Sequence, residues 1–168
     1  MNFNLTSEQK LIKQTAADFS RDELKEGAVN RDKNKIWPKE QVAKMANLGF
    51  MGMMVDESWG GSGLDTISYC IAMEEVSKVD ASAGVIMSVN NSLVCYLLNK
   101  YGSEHIKTKY LISLAKGDKL GSFSLSEPQS GSDASNMKTY ATLDGDNYIL
   151  SVNNNLFSFE NAINSCDS

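Results

Sequence analysis

Tyr110-Leu111-Ile112-Ser113-Leu114-Ala115-Lys116-Gly117-Asp118-Lys119-Leu120-Gly121-Ser122-Phe123-Ser124-Leu125-Ser126 is the stretch in which the chain changes its period. Up to Gly117 the apolar residues Ile106, Tyr110, Leu111 and Leu114 recur three and four positions apart, which puts them on one helix face, and Gly117 stands where a helix stops. From Leu120 the pattern alternates with period two, as a strand does. A helical part therefore precedes this stretch and a β-rich part follows it. The predicted fold class is α+β: residues 1–117 an all-α domain, residues 118–152 the start of a β domain, and residues 153–168 an Asn- and Ser-rich tail.

Towards the N-terminus the helical spacing continues. Thr6 and Gln9 have capping-box spacing, and Leu11, Ile12, Ala16 and Phe19 then predict a helix over residues 7–25. Residues 32–36 are polar and read as a connection. Trp37-Pro38 opens a second helix with Val42, Met45 and Leu48 inward and Gly49 ending it. Residues 49–65 are rich in glycine and read as a loop that needs backbone freedom. Residues 66–78 resume helical spacing through Ile67, Cys70, Ile71 and Met73. Residues 81–100 are apolar on most sides and mark the central helix of a bundle. Ser103 caps the last helix.

Towards the C-terminus, residues 140–143 alternate, Asp144-Gly145 supplies a hairpin turn, and residues 148–152 form the returning strand. Few residues remain, too few to close a barrel, so the β domain is expected to be cut short.

Composition narrows the classes without naming one. With 168 residues and 42% hydrophobic content, the chain can bury roughly 70% of the surface it exposes when unfolded. Net charge is −5 with the basic residues spread along the chain, which argues against nucleic acid as a partner. The run after Ala81 is interrupted by Asn90 and Asn91, and no membrane span is expected. The first residues have the plan of neither a secretory signal nor a transit peptide. Cys70, Cys95 and Cys166 lack metal-ligand spacing, and Cys70 and Cys95 read as buried small hydrophobes; His105 reads as a surface residue and no metal is expected.

The densest polar segment is Phe123-Ser124-Leu125-Ser126-Glu127-Pro128-Gln129-Ser130-Gly131-Ser132-Asp133. Peptide groups near Gly131 and the hydroxyls of Ser126, Ser130 and Ser132 suit an anionic group held without a metal. The same residue types also make a polar turn stabilised by its own Ser and Asp side chains. Residue types alone leave both readings open.

The run Leu125-Ser126-Glu127-Pro128-x-x-Gly131-Ser132-Asp133 is similar to the flavin-loop signature of the acyl-CoA dehydrogenase family. Further resemblances follow in the family's order: Leu5-Thr6-x-Glu8-Gln9, Glu57-x-Trp59-Gly60-Gly61-x-Gly63, Glu74-Glu75-Val76-Ser77 and Lys109-Tyr110-Leu111-x-x-Leu114-Ala115-x-Gly117. Together they cover residues 1–150, and the wording most resembles the short-chain, butyryl-type members.

The resemblance implies an N-terminal helical domain followed by the start of a β-barrel, FAD as cofactor, and α,β-dehydrogenation of a short-chain acyl-CoA to the trans-2-enoyl-CoA, as in fatty acid β-oxidation. It implies electron-transferring flavoprotein as acceptor and a homotetramer. By the same resemblance Phe123, Leu125, Ser126, Gly131 and Ser132 are expected at the cofactor, Ser132 also at the substrate's pantetheine, and Ser158 at the flavin N5. The resemblance fades after Leu150, where Val152 and Asn154 replace a Gly-Lys pair and Leu156 replaces a Trp. The expectation is accordingly an N-terminal fragment without the C-terminal four-helix domain and with no catalytic residue of its own, Glu74, Glu75 and Glu127 being structural or solvated. A non-catalytic helical interaction module and an inactive relic are the alternatives. The location implied is cytoplasmic for a bacterial protein and the mitochondrial matrix for a eukaryotic one.

Overall fold

The computed structural model describes residues 4–151, and the chain divides into two units after Gly121. The first unit is helical. Its elements are α1 (Ser7–Phe19), α2 (Ala28–Asn34), α3 (Lys39–Asn47), α4 (Thr66–Ser77), α5 (Ala81–Ser88), α6 (Tyr96–Tyr101), α7 (Glu104–Ile106) and α8 (Ile112–Ala115). Three wide π-turns, Ser20–Leu24, Val89–Cys95 and Lys107–Leu111, extend or join these helices.

Helix α1 begins as its sequence predicts. The Gln9 amide donates to the Thr6 hydroxyl and the Thr6 amide to the Gln9 side chain, both at 3.1 Å, closing the capping box. The helix packs on α4, and its buried Ala16 and Phe19 join Leu24, Met45, Phe50, Met51, Met53, Tyr69, Ala72, Val76, Ala83 and Met87 in the main core. Phe19 meets Phe50 edge to face at 5.8 Å. Burial of each Leu or Met side chain there contributes roughly 1.5–3 kcal/mol. A second cluster, Val55, Cys95, Leu111, Leu114 and Ala115, holds the helix ends.

The glycine-rich loop lies tight against its surroundings. A Cβ on Gly61 would stand 2.1 Å from the Val55 carbonyl oxygen, so no side chain fits there. Two buried amides fix the loop to the π-turn after α5. Asn91 accepts from the Met53 amide (2.8 Å) and donates to the Phe50 (2.8 Å) and Met87 (2.9 Å) carbonyls; Asn90 donates to the Met51 (2.8 Å) and Leu114 (3.0 Å) carbonyls.

Several expectations are corrected. Residues 32–36 are not simply a connection, because α2 runs to Asn34. The helix is held by Arg31, whose guanidinium donates to the Leu24 carbonyl (2.6 Å), the Glu26 carbonyl (3.0 Å) and Asp80 (2.9 Å). Cys70 is exposed rather than buried, since α4 turns Ser68, Tyr69, Ile71, Ala72 and Val76 inward and leaves Ile67 and Cys70 outside. Leu11, Leu48 and Tyr110 are also exposed. For Tyr110 the cause is the π-turn, whose extra residue per turn shifts the helix phase.

The central run is apolar all round in sequence but not in burial. Its inward residues are Ala83, Gly84, Met87, Asn90, Asn91 and Cys95, while Val85, Leu93, Tyr96 and Leu97 face outward. Contrary to the expectation from its Asn residues, residues 81–101 are long and apolar enough to cross a membrane by length and composition. Its buried face is joined through both amides to the glycine-rich loop and, at Leu114, to α8.

In the second unit, β1 (Tyr140–Asp144) and β2 (Asn147–Ser151) form an antiparallel hairpin, Asp144 opposite Asn147, with Gly145 at φ 59° in the turn. Asp144-Gly145 thus turns the chain as read. Residues 120–126 do not form the expected strand: no described residue pairs with them in a ladder, and alternation alone cannot make a strand without a partner.

Candidate functional site

The loop from Phe123 to Asp133 lies in the second unit and is organised around Glu127. Pro128 and Gln129 form a tight turn, with the Glu127 amide donating to the Ser130 carbonyl (2.9 Å) and the Ser130 amide to the Glu127 carbonyl (3.0 Å). The Glu127 side chain is the loop's centre. It accepts from the amides of Lys138 (2.7 Å) and Thr139 (2.9 Å) and from the Gln129 side chain, and the residue is only 4% exposed. Hydrogen bonds from Thr139, then from the Lys138 amide, bring its carboxyl down to about 2. Such a carboxylate stays ionised and has no proton to exchange near neutral pH.

Ser130 is equally committed. Buried at 1% exposure, its hydroxyl donates to the Asp133 carbonyl (2.8 Å), while Asn136 donates through its side chain to the Gln129 carbonyl (3.2 Å). Of the hydroxyls expected to meet a ligand, Ser130 is therefore used within the turn. Those of Ser126 and Ser132 bond no other described residue.

What remains accessible suits a flat cofactor with an anionic tail. Phe123 and Leu125 are 37% and 41% exposed, Ser126 is half-buried just before the turn, and a Cβ on Gly131 would meet nothing within 4 Å. The loop offers apolar side chains in one stretch and small residues with peptide groups in the next. These residues fit the group the resemblance implies: Glu127 and Ser130 shape the loop, and Phe123, Leu125, Ser126, Gly131 and Ser132 are not engaged by the turn. Ser158 lies outside the described residues.

Comparison with known proteins shows the family. Residues 6–118 match the acyl-CoA dehydrogenase N-terminal domain. The chain belongs to the acyl-CoA dehydrogenase family. This member of the family is 44% identical over 150 residues to the short-chain specific acyl-CoA dehydrogenase of Clostridium acetobutylicum, covering 89% of this chain and 40% of that protein. Among solved structures it resembles butyryl-CoA dehydrogenase from Megasphaera elsdenii, at TM-score 0.82 and 38% identity, over 89% of this chain and 40% of that one. It also resembles a chain in a structure of the electron transferring flavoprotein of Acidaminococcus fermentans, at TM-score 0.85 and 45% identity, with the same coverage. This chain therefore spans about 40% of the length of such relatives. As in the family, the fold begins with a helical domain, and the described part ends in a two-stranded antiparallel sheet.

Other chemistry-bearing residues of this chain lie outside the loop. Glu74 pairs with Lys78 at 3.0 Å, and Glu75 with Lys78 at 2.9 Å and Lys13 at 3.6 Å. Burial raises the Cys95 thiol to about 12, so it holds its proton and packs as an apolar group. His105 is exposed, as read. Among the described residues no group of three His, Cys, Asp or Glu side chains could hold a metal. Sequence reasoning missed the parts played by Asn90, Asn91 and the Arg31–Asp80 pair. Two amides in succession inside an apolar run were the available signal, since a buried Asn must find several partners.

Proposed function

We propose that this chain forms the helical domain and the opening of the flavin-binding domain of a short-chain acyl-CoA dehydrogenase. The observation that carries the reading is the loop around Glu127: a self-bonded turn that leaves Phe123, Leu125, Ser126, Gly131 and Ser132 accessible, in a chain 44% identical to a short-chain specific enzyme.

In this reading Phe123 and Leu125 would lie against the isoalloxazine, the Ser126 hydroxyl would donate to its pyrimidine edge, and Gly131 and Ser132 would face the phosphates and the pantetheine of the acyl-CoA. FAD, when bound, supplies the hydride acceptor for oxidation of the acyl Cα–Cβ bond. A fixed donor such as the Ser126 hydroxyl would hold and orient the polar edge of that group. None of Glu74, Glu75 and Glu127 acts as the base that removes the α-proton. Glu127 is held ionised by its donors, and the other two are paired with lysines. Electrons leave to an electron-transferring flavoprotein, and the working enzyme is a homotetramer.

A chimera tests this reading. Residues 1–151 of this chain, exchanged for the matching segment of the Clostridium acetobutylicum enzyme, are expected to yield a yellow protein whose flavin absorbance bleaches with butyryl-CoA. A chimera that folds but stays colourless after FAD is added would refute the flavin assignment. In the same chimera, replacement of Gly131 by Val is expected to weaken FAD binding at least about tenfold by filling the open position.

A further inference from the structure

Between the helical core and the accessible residues of the loop stands Gly121, the last residue of the first unit. Its amide donates to Asn90 Oδ1 at 2.9 Å. Asn90 is 1% exposed, and its Nδ2 is spent on the carbonyls of Met51 and Leu114 at 2.8 and 3.0 Å. With both donors directed at carbonyls and the oxygen at an N–H, the amide has one orientation that satisfies all three partners; the flipped one would face a donor with donors. Gly121 also has no room for a side chain. A Cβ there would stand 2.6–2.8 Å from the Val94 side chain.

We propose that Asn90 is a positioning residue for the flavin-contacting stretch, holding its point of departure at Gly121; this rests on the function proposed above. Phe123 follows two residues later, so its Cα lies within about 7 Å of Gly121 whatever the backbone does between them. The stretch from Ser122 to Ser126 therefore departs from a residue held by a buried polar side chain, Asn90. Asn91, next in sequence and equally buried, does not bear on that stretch. Its three bonds go to Met53, Phe50 and Met87. The π-turn is what lets consecutive residues both point inward, one to the glycine-rich loop and one also to the departing chain.

Residue-resolved amide exchange on the 168-residue chain tests this directly. In the wild type the Gly121 amide is expected to exchange at least about tenfold more slowly than an unstructured glycine, as a part-buried hydrogen bond demands. Asn90→Leu is expected to abolish that protection while circular dichroism stays helical, and Asn91→Leu to leave it in place. An unprotected Gly121 in the wild type overturns the proposal without any variant having to fold, and so does an equal release in Asn91→Leu. A titration of the chimera described above with FAD, read by flavin fluorescence, separates the two readings. If the parent chimera binds, its Asn90→Leu variant is expected to bind about tenfold more weakly and Asn91→Leu unchanged; equal weakening in both overturns the positioning role. Gly121 protection lost as expected, with a folded chimera that never takes up FAD, leaves the anchor standing and removes the flavin assignment.

Discussion

At the scale of single residues, Glu127 separates the two readings that the sequence leaves open. A run of Ser, Gly, Pro and Asp is consistent with a turn or with a ligand cradle, and the structure shows which of its residues make the turn. Glu127 and Ser130 build the turn, while Ser126, Gly131 and Ser132 stay accessible. The division has a pH signature. Because its donors hold the folded carboxyl at about 2, below the ordinary 4.5, Glu127 stabilises the loop fully above about 4.5 and loses that effect as pH falls towards 2. The amide proton shifts of Lys138 and Thr139 are therefore expected to titrate with a midpoint near 2. In Glu127→Gln they should no longer titrate, and both amides should exchange faster, because a carboxamide oxygen replaces only part of the carboxylate's acceptor capacity. A wild-type midpoint near 4.5 would show that the two amides do not hold the carboxylate.

At the scale of elements, helix positions were legible where local chemistry specifies them and helix faces were not. The Thr6–Gln9 capping box and the Asp144-Gly145 turn read correctly, because each is completed by residues three positions apart or fewer. Helix α2 was missed because its anchor is remote: Arg31 meets Asp80, forty-nine residues away. The inward faces of α4 and of the central run were misjudged because hydrophobicity predicts the buried side only when polar residues stay out, and Asn90, Asn91 and Ser68 are buried. The Arg31–Asp80 pair invites measurement. Asp80 also caps α5, accepting from the Ala83 amide at 3.0 Å, and the Arg31 Nε is buried without a partner among the described residues. Asp80→Ala would leave a nearly buried guanidinium without its counter-ion and α5 without its cap. The expected loss is about 3–5 kcal/mol, read from the urea midpoint at neutral pH. A loss under about 1 kcal/mol would place the pair among surface ion pairs of little consequence.

At the scale of the whole molecule, the two units differ in what holds them. All the described core clusters belong to the helical unit, whereas every residue of β1 and β2 is exposed, including Tyr140, Leu143, Tyr148, Ile149 and Leu150. The strand alternation in this region was legible in sequence, but the partner that would bury one face cannot be read from alternation alone. A two-stranded hairpin is marginal in water by itself, since its few cross-strand contacts hardly offset the entropy of ordering ten residues. In the purified 168-residue chain, amides of residues 140–151 are therefore expected to exchange within about tenfold of unstructured rates, while Val76 and Met87 exchange only through global unfolding. In the chimera with the Clostridium acetobutylicum enzyme the same hairpin amides should become strongly protected, because strands that leave apolar side chains exposed gain stability when a further sheet covers them. Hairpin amides as slow as Val76 in the isolated chain, independent of protein concentration, would show that the second unit needs no such cover. Protection that rises with concentration would instead locate the cover in a second copy of the chain.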